Sequence, residues 1–211
     1  NDWEIIRSWY IETENASLIG ETTIPFISLV HGLIMGNGIK HVVQAGHYAG
    51  YSCLLIGFMM KYMNKKKSLF SIDIDTTVSA FTQSWLDKAC LNEYVHIHVG
   101  DSASHHSYEL SLSYLGSQPE MVIIDSSNQY AHTIDELSLW YPNLEPGGFI
   151  VMHDSSKFAE SFDSTKMGGV HKAIKEWKQN NLDCEILTIN SSNVSTPPSS
   201  LVYKDGCGVV L

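Results

Sequence analysis

At 211 residues, with 44% hydrophobic and 17% charged residues, the chain can bury one sizeable core and lacks the low-hydrophobicity, high-charge signature of disorder. Thirteen basic against twenty-three acidic residues leave a formal net charge of −10, a field that repels phosphate backbones and disfavours nucleic acid as a partner. The one dense basic run, Lys65-Lys66-Lys67, reads as a solvated turn, and no apolar run reaches the roughly 18–20 residues of a membrane span.

The start, Asn1-Asp2-Trp3-Glu4, has neither a basic n-region nor an initiator Met, which reads as a trimmed chain without a secretory signal. Trp3, Ile6, Trp9 and Tyr10 share one face of a first helix. Pro25 fits the first turn of a second, which runs to about Met35 and ends at Gly36-Asn37-Gly38. These make a helical lead over residues 1–38.

Five short Val- and Ile-rich runs follow, at residues 41–43, 69–72, 95–99, 121–124 and 149–152. Each is too short for a typical helix and is bounded by Gly, Asp or Pro, so each predicts a strand. Between them, residues 51–63, 76–91, 103–115 and 130–144 carry apolar residues at helical spacing. Residues 170–179 predict a later helix with Ala173, Ile174 and Trp177 on one face. Residues 184–189 and 209–211 predict two last strands, with a Ser-, Asn- and Pro-rich connection at 190–200. Strand–helix alternation demands right-handed crossovers. The expected fold is therefore an α/β, Rossmann-like doubly wound sheet, mainly parallel with an antiparallel C-terminal edge, helices on both faces and the helical lead in front, in a single domain over 1–211. Cys53, Cys90, Cys184 and Cys207 form no C-x-x-C pair, which argues against a zinc site and for reduced thiols in a cytoplasm.

Ligands of such sheets bind beyond the carboxyl ends of the strands. There the first strand runs into Gln44-Ala45-Gly46-His47-Tyr48-Ala49-Gly50-Tyr51-Ser52, whose two glycines suit a close backbone approach to a ligand, or simply a tight turn into the helix. The second ends at Asp73-Ile74-Asp75, where Asp73 suits the two hydroxyls of a ribose or the N-cap of the next helix, a role open equally to Asp75. The third ends in Gly100-Asp101-Ser102, the fourth in Asp125-Ser126-Ser127-Asn128-Gln129-Tyr130, and the fifth in His153-Asp154-Ser155-Ser156. Singly these are strand-end caps; together they gather acidic groups at one end of five strands.

That constellation resembles the class I S-adenosylmethionine-dependent methyltransferases, and within them the small-molecule O-methyltransferases of the catechol, macrolide-sugar and cephalosporin-hydroxylase-like group. The likeness runs over roughly residues 39–211, the α/β core that would bind the nucleoside. Gly46, Gly50 and Ser52 match G-x-x-x-G-x-S, with Gln44 where an acid is usual. Residues 125–130 resemble D-G-x-H-S-Y, Glu145-Pro146-Gly147-Gly148 with His153-Asp154 resembles K-P-G-G and an H-D strand end, and Gly168-Gly169-Val170 resembles a G-G-V segment. The resemblance implies that S-adenosylmethionine lies against Gln44, Ala45, Gly46, Tyr48, Gly50, Ser52, Asp73, Asp101, Ser102 and Asp125. It also implies that Mg²⁺ is held by Asp125, Asp154 and the residue at the third ligand position, here Ser155.

The expected reaction is methyl transfer to a hydroxyl of a small-molecule acceptor, with Asp125, Asp154 and His153 as catalytic groups. Asn128 stands where the motif has His, so the acceptor's proton falls to His153 or to His132. His105-His106 is assigned no role, since adjacent helical residues diverge by about 100°. The lead, with Trp3, Trp9 and Tyr10, and residues 157–167 are placed to roof the acceptor, and the lead equally suits a homodimer contact. Alternatives are an S-adenosylmethionine-binding protein with metal-independent or different acceptor chemistry, a nicotinamide-dependent oxidoreductase, and a binding module or inactive partner. The missing G-x-G-x-x-G counts against the oxidoreductase.

Overall fold

The computed structural model describes residues 1–18, 20 and 22–189, and the backbone of Val209 and Val210. The lead forms two helices, α1 (Asp2–Asn15) and α2 (Ile24–Asn37). Asn1 and Glu4 cap α1 reciprocally, each side chain meeting the other's backbone N–H. Pro25 sits in the first turn of α2, and Gly38 closes it at φ 70°. Both helices pack on the core: Trp9, Phe26, Val30 and Ile34 are fully buried.

The core alternates β1 (Val42–Ala45), α3 (Tyr51–Tyr62), β2 (Leu69–Asp73), α4 (Thr76–Ala89), β3 (Val95–Val99), α5 (His105–Leu115), β4 (Met121–Ile124), α6 (Tyr130–Trp140), β5 (Phe149–Met152), α7 (Gly169–Asn180), β6 (Thr188–Ile189) and β7 (Val209–Val210). The sheet order is β3-β2-β1-β4-β5-β7-β6. The first five strands are parallel, and β7 runs antiparallel to both β5 and β6.

Helices on both faces explain why the central strands are apolar throughout. Val42, Leu69, Ile123 and Val151 point into one core with α1, α2, α3 and α4. Val43, Phe70, Val122 and Met152 point into the other, with Leu137 and Trp140 of α6 and Val170 and Trp177 of α7. Within that frame, β1 to β4 switch direction of winding between β1 and β4, and the carboxyl ends of both strands face the same rim.

Several expected boundaries move. β1 starts one residue later than expected and continues to Ala45, so Gln44 and Ala45 are strand residues, 1% and 0% exposed. The helix expected over 130–144 ends at Trp140 and tightens into a 3₁₀ turn over Tyr141–Asn143, where Pro142 supplies no N–H for an α-helical bond. Ser104 caps α5, its hydroxyl accepting from Ser107 N, which delays that helix to His105. Asp75, not Asp73, caps α4. Only Thr188–Ile189 of the 184–189 run is a strand. The connection at 190–200 and Leu211 lie outside the described residues. Among the described residues no helix is long and apolar enough to cross a membrane.

Candidate functional site at the carboxyl rim of the sheet

The ends of β1 to β5 surround a cleft of about 740 Å³, walled by Gly46, Tyr48, Gly50, Ser52, Asp73, Asp101, Ser102, Asp125 and Asp154, with Trp9 and Thr22 from the lead side. Of the site residues expected from the sequence, Gln44, Ala45, His153 and Ser155 are not part of the wall, and Gln44 and Ala45 lie beneath it in β1. Gln44 acts from below: its Nε2 donates to Gly46 O (2.8 Å) and Ser52 Oγ (2.6 Å), fixing the turn where an acid was usual.

Gly46 is required on two counts. Its φ is +85°, and a Cβ there would lie 1.9 Å from the Asp125 carbonyl oxygen, so the turn after β1 rests directly on the turn after β4. A Cβ on Gly50 would likewise meet the Thr82 side chain at 2.6 Å. Asp73 accepts from the N–H groups of His47 (3.1 Å) and Tyr48 (2.9 Å) on one oxygen and from Asp75 N (3.0 Å) on the other.

His47, which sequence reasoning passed over, anchors this loop. Its ring is buried between Ser71 Oγ (3.1 Å) and Ser79 Oγ (3.0 Å), and burial pushes its pKa down to about 4 against the opposing pull of Asp73. The imidazole is thus neutral and structural. Below it, burial pushes the Cys53 thiol up to about 12, so that cysteine is an unreactive core residue.

At the end of β3, Asp101 is half exposed and accepts from Ala103 N (2.9 Å). Ser102 donates to Glu136 Oε1 (2.5 Å), and Ser126 donates to Glu136 Oε2 (2.9 Å). The carboxylate of Glu136 is fully buried. His132, a candidate proton acceptor in the sequence, is held here by Ser102 and Glu136.

At the ends of β4 and β5 the ionisable groups converge. His153 Nδ1 lies 3.4 Å from Asp125 Oδ1 and 3.2 Å from Asp154 Oδ1, and one ligand atom from each of the three residues falls within 4.8 Å of the others. His153 is buried, with Phe26 edge-on to its ring at 4.8 Å. Only the two carboxylates reach the cleft wall. Ser155 is 1% exposed and its hydroxyl has no hydrogen-bond partner among the described residues. Asp154 at φ 52° and Asn128 at φ 58° hold left-handed backbone without being glycine, as does Tyr48 at φ 43° across the cleft. Strain of this kind is retained where the fold over-determines it, and it clusters at working sites.

Asp163, also absent from the sequence reading, secures the segment over 157–167. It accepts from Thr165 Oγ1 and from the N–H groups of Thr165, Met167 and Gly169. Burial alone would raise its pKa, but these hydrogen bonds outweigh it and hold the carboxyl at about 2. These partners of Asp163 lie two to six residues on, so its local Asp-x-Thr spacing was the available signal, whereas nothing local marks Glu136, whose hydroxyl partners come from separate elements.

The chain is similar in fold to the O-methyltransferase of Bacillus cereus solved with SAH, with a TM-score of 0.75 and 13% identity over 98% of this chain and 89% of that one. It is similarly related to the Streptomyces achromogenes O-methyltransferase TomG, involved in tomaymycin synthesis and solved with SAM (TM-score 0.71, 15% identity, 98% and 87% covered). The Podospora anserina methyltransferase PaMTH1, solved with SAH, gives a TM-score of 0.64 at 12% identity, with 99% and 85% covered. No curated protein matches the sequence. A family model described as a methyltransferase domain matches residues 43–155, more than half of the chain and every strand end that lines the cleft, and the chain belongs to that family.

Proposed function

We propose that the protein transfers the methyl group of S-adenosylmethionine to a hydroxyl of a small molecule, with a divalent cation at Asp125, Asp154 and His153. The observation that carries this reading is that Gly46 and Asp73 on one side and the clustered carboxylates of Asp125 and Asp154 on the other open into one cleft. Two of the solved structures similar in fold are O-methyltransferases with donor or product bound, which supports the hydroxyl as acceptor.

In the reaction the methyl carbon's bond to sulfur breaks as its bond to the acceptor oxygen forms, and the acceptor loses a proton. Asp73, fixed by three backbone N–H groups, keeps lone pairs for ribose hydroxyls. Gly46 lets the backbone approach the donor, and Asp101 and Ser102 flank its nucleoside end. Two carboxylates and an imidazole form a donor set suited to Mg²⁺ or Mn²⁺ with open positions left over. Such a cation supplies orientation of the acceptor hydroxyl and a lowered hydroxyl pKa. With the cation in place the lone pair of His153 Nδ1 would be turned to it; without one, Asp125 and Asp154 stand between the cleft and His153, which is then placed to receive the acceptor's proton through a carboxylate.

The described cleft wall carries Asp73, Asp101, Asp125 and Asp154 and no Lys or Arg, which favours a neutral or cationic acceptor over a phosphorylated one. A second, metal-independent reading rests on the contacts of His153 Nδ1 with both carboxylates, since a protonated ring there fills the place of a cation. Trp3, Ile11 and Met35, exposed on the lead, support a homodimer, and unpaired Cys53, Cys90 and Cys184 support a reducing cytoplasm.

Calorimetric titration with S-adenosylhomocysteine tests the donor, and repeating it with Mn²⁺ tests the cation. Binding of both is expected. NAD binding without S-adenosylhomocysteine binding overturns the reading, and a donor affinity with no Mn²⁺ heat selects the metal-independent one.

A further inference from the structure

Glu136 lies on α6, its side chain fully buried, behind the nucleoside end of the cleft, and the methyl-transfer scheme above does not use it. Its two oxygens take one hydroxyl each from different strand ends: Ser102 after β3 at 2.5 Å, and Ser126 after β4 at 2.9 Å. A carboxylate removed from water keeps its charge only if it is hydrogen-bonded and paired. Among the described residues the cationic partner on offer is His132, one helical turn earlier, with Nε2 at 3.4 Å from Oε1.

The hydrogen-bond count fixes the ring's state. The single hydroxyl proton of Ser102 goes to Glu136, so at the 3.1 Å contact between Ser102 Oγ and His132 Nε2 the ring must be the donor. A neutral ring protonated at Nε2 would then turn the lone pair of Nδ1 toward Asp101 Oδ1, 3.9 Å away. Protonating Nδ1 replaces that repulsion with attraction. The side-chain hydrogen bond to Glu136, followed by the charges of Glu136, Asp101 and Asp135, raises the His132 pKa over the opposing effect of burial.

We propose that Glu136 and His132 form a buried positioning pair that ties the turns after β3 and β4 together, so that the donor binds more tightly when His132 carries its proton. The reasoning rests on the cleft being the donor site. A donor seated there excludes water from His132, now one quarter exposed, and an anion sealed beneath it then needs its cation more than before. Donor binding and proton binding therefore reinforce one another. The groups facing His132 are Glu136 and Asp135 on its own helix, and Asp101 and Ser102 from the turn after β3.

The test is calorimetric titration of S-adenosylhomocysteine into the full chain and into Glu136→Gln, Ser126→Ala, His132→Gln and Asp135→Asn, from about pH 6 to about pH 9, with the His132 ring followed by NMR. The wild-type Kd should rise as pH passes the His132 pKa. Glu136→Gln should weaken binding roughly tenfold at low pH, the worth of one charge-assisted hydrogen bond, lower the His132 pKa and flatten the pH profile. Ser126→Ala should weaken binding less and keep the pH dependence, whereas His132→Gln should remove it. Asp135→Asn removes an exposed charge without touching the ties, so it should leave the low-pH Kd unchanged and lower the His132 pKa less than Glu136→Gln does.

A folded Glu136→Gln protein with wild-type Kd, an unmoved His132 pKa, or an Asp135→Asn effect equal to that of Glu136→Gln overturns the proposal. Should Glu136→Gln fail to melt cooperatively, His132→Gln decides by keeping or losing the pH dependence. Absence of wild-type binding at any pH removes the donor reading and this inference together, whereas binding that no variant alters removes the inference alone.

Discussion

The two halves of the cleft are built differently. On the β1–β2 side the polar groups are wired to one another: three backbone N–H groups share Asp73, two serines hold the His47 ring, and Gln44 spans Gly46 and Ser52. On the β4–β5 side the backbone is strained at Asn128 and Asp154, the hydroxyl of Ser155 is buried without a partner among the described residues, and three ionisable groups crowd within 4.8 Å. The first half has its polar groups matched, with left-handed backbone only at Tyr48 outside its glycines. The second stores strain and unmet polar contacts, the state expected of groups whose arrangement is finished by what they bind. A surface that recognises an invariant nucleoside gains from being prebuilt, whereas one that handles reacting atoms must hold groups in positions that a relaxed chain would abandon.

The sharpest way to break this contrast is at the point where the halves touch. Gly46→Ala drives a Cβ into the Asp125 carbonyl at 1.9 Å and forces a positive φ on alanine. We expect a loss above ~3 kcal/mol in urea-melt stability; an unchanged midpoint would show that the turns after β1 and β4 do not bear on one another.

The wired half should also announce itself in acid. His47 falls from an ordinary 6.5 to about 4 on folding, so the unfolded chain takes up a proton that the folded one refuses between those values. The stability contribution is whole above pH 6.5 and is lost as pH falls through about 4, amounting to about 3 kcal/mol. Stability measured across that window should drop for the wild type and less for His47→Gln.

Asp73→Asn removes the charge and replaces one of the two acceptor oxygens with an NH2 that faces backbone N–H groups, and should cost donor affinity roughly tenfold to a hundredfold, read as the Kd for S-adenosylhomocysteine. The smallest effect belongs to the strained half and has the opposite sign for stability. Asp154→Gly relieves φ 52° and should raise stability by about 1 kcal/mol in a thermal melt, while Mn²⁺ binding disappears. A variant that is both less stable and still able to bind Mn²⁺ would contradict the division drawn between the halves.

How far the sequence showed these halves follows from the range over which each signal acts. Strands β1 to β5 were visible because a run such as Met121-Val122-Ile123-Ile124 must be apolar on both faces when helices cover both. Gly46, Asp73, Asp125 and Asp154 were visible because the end of a parallel strand is also a position in the chain. His47 and Glu136 were not, since nothing local separates a histidine locked between Ser71 and Ser79 from one in solvent, or a buried glutamate from a surface one. Gln44 misled for a related reason: the strand runs two residues further than its apolar run, which turns the side chain beneath the cleft instead of into it.

By itself, then, the sequence determined the alternation of strands and helices, the glycine that lets two turns meet, and the acids that occupy the carboxyl rim. These are properties of periodicity and chain position, which act within a few residues. Tertiary structure alone decided which of those acids are wired and which are strained, that His153 bridges Asp125 and Asp154, and that Ser102 and Ser126 share one buried carboxylate thirty-four and ten residues away. Burial, protonation and hydrogen-bond partnership depend on what else fills the surrounding space, and that is settled only when the elements pack.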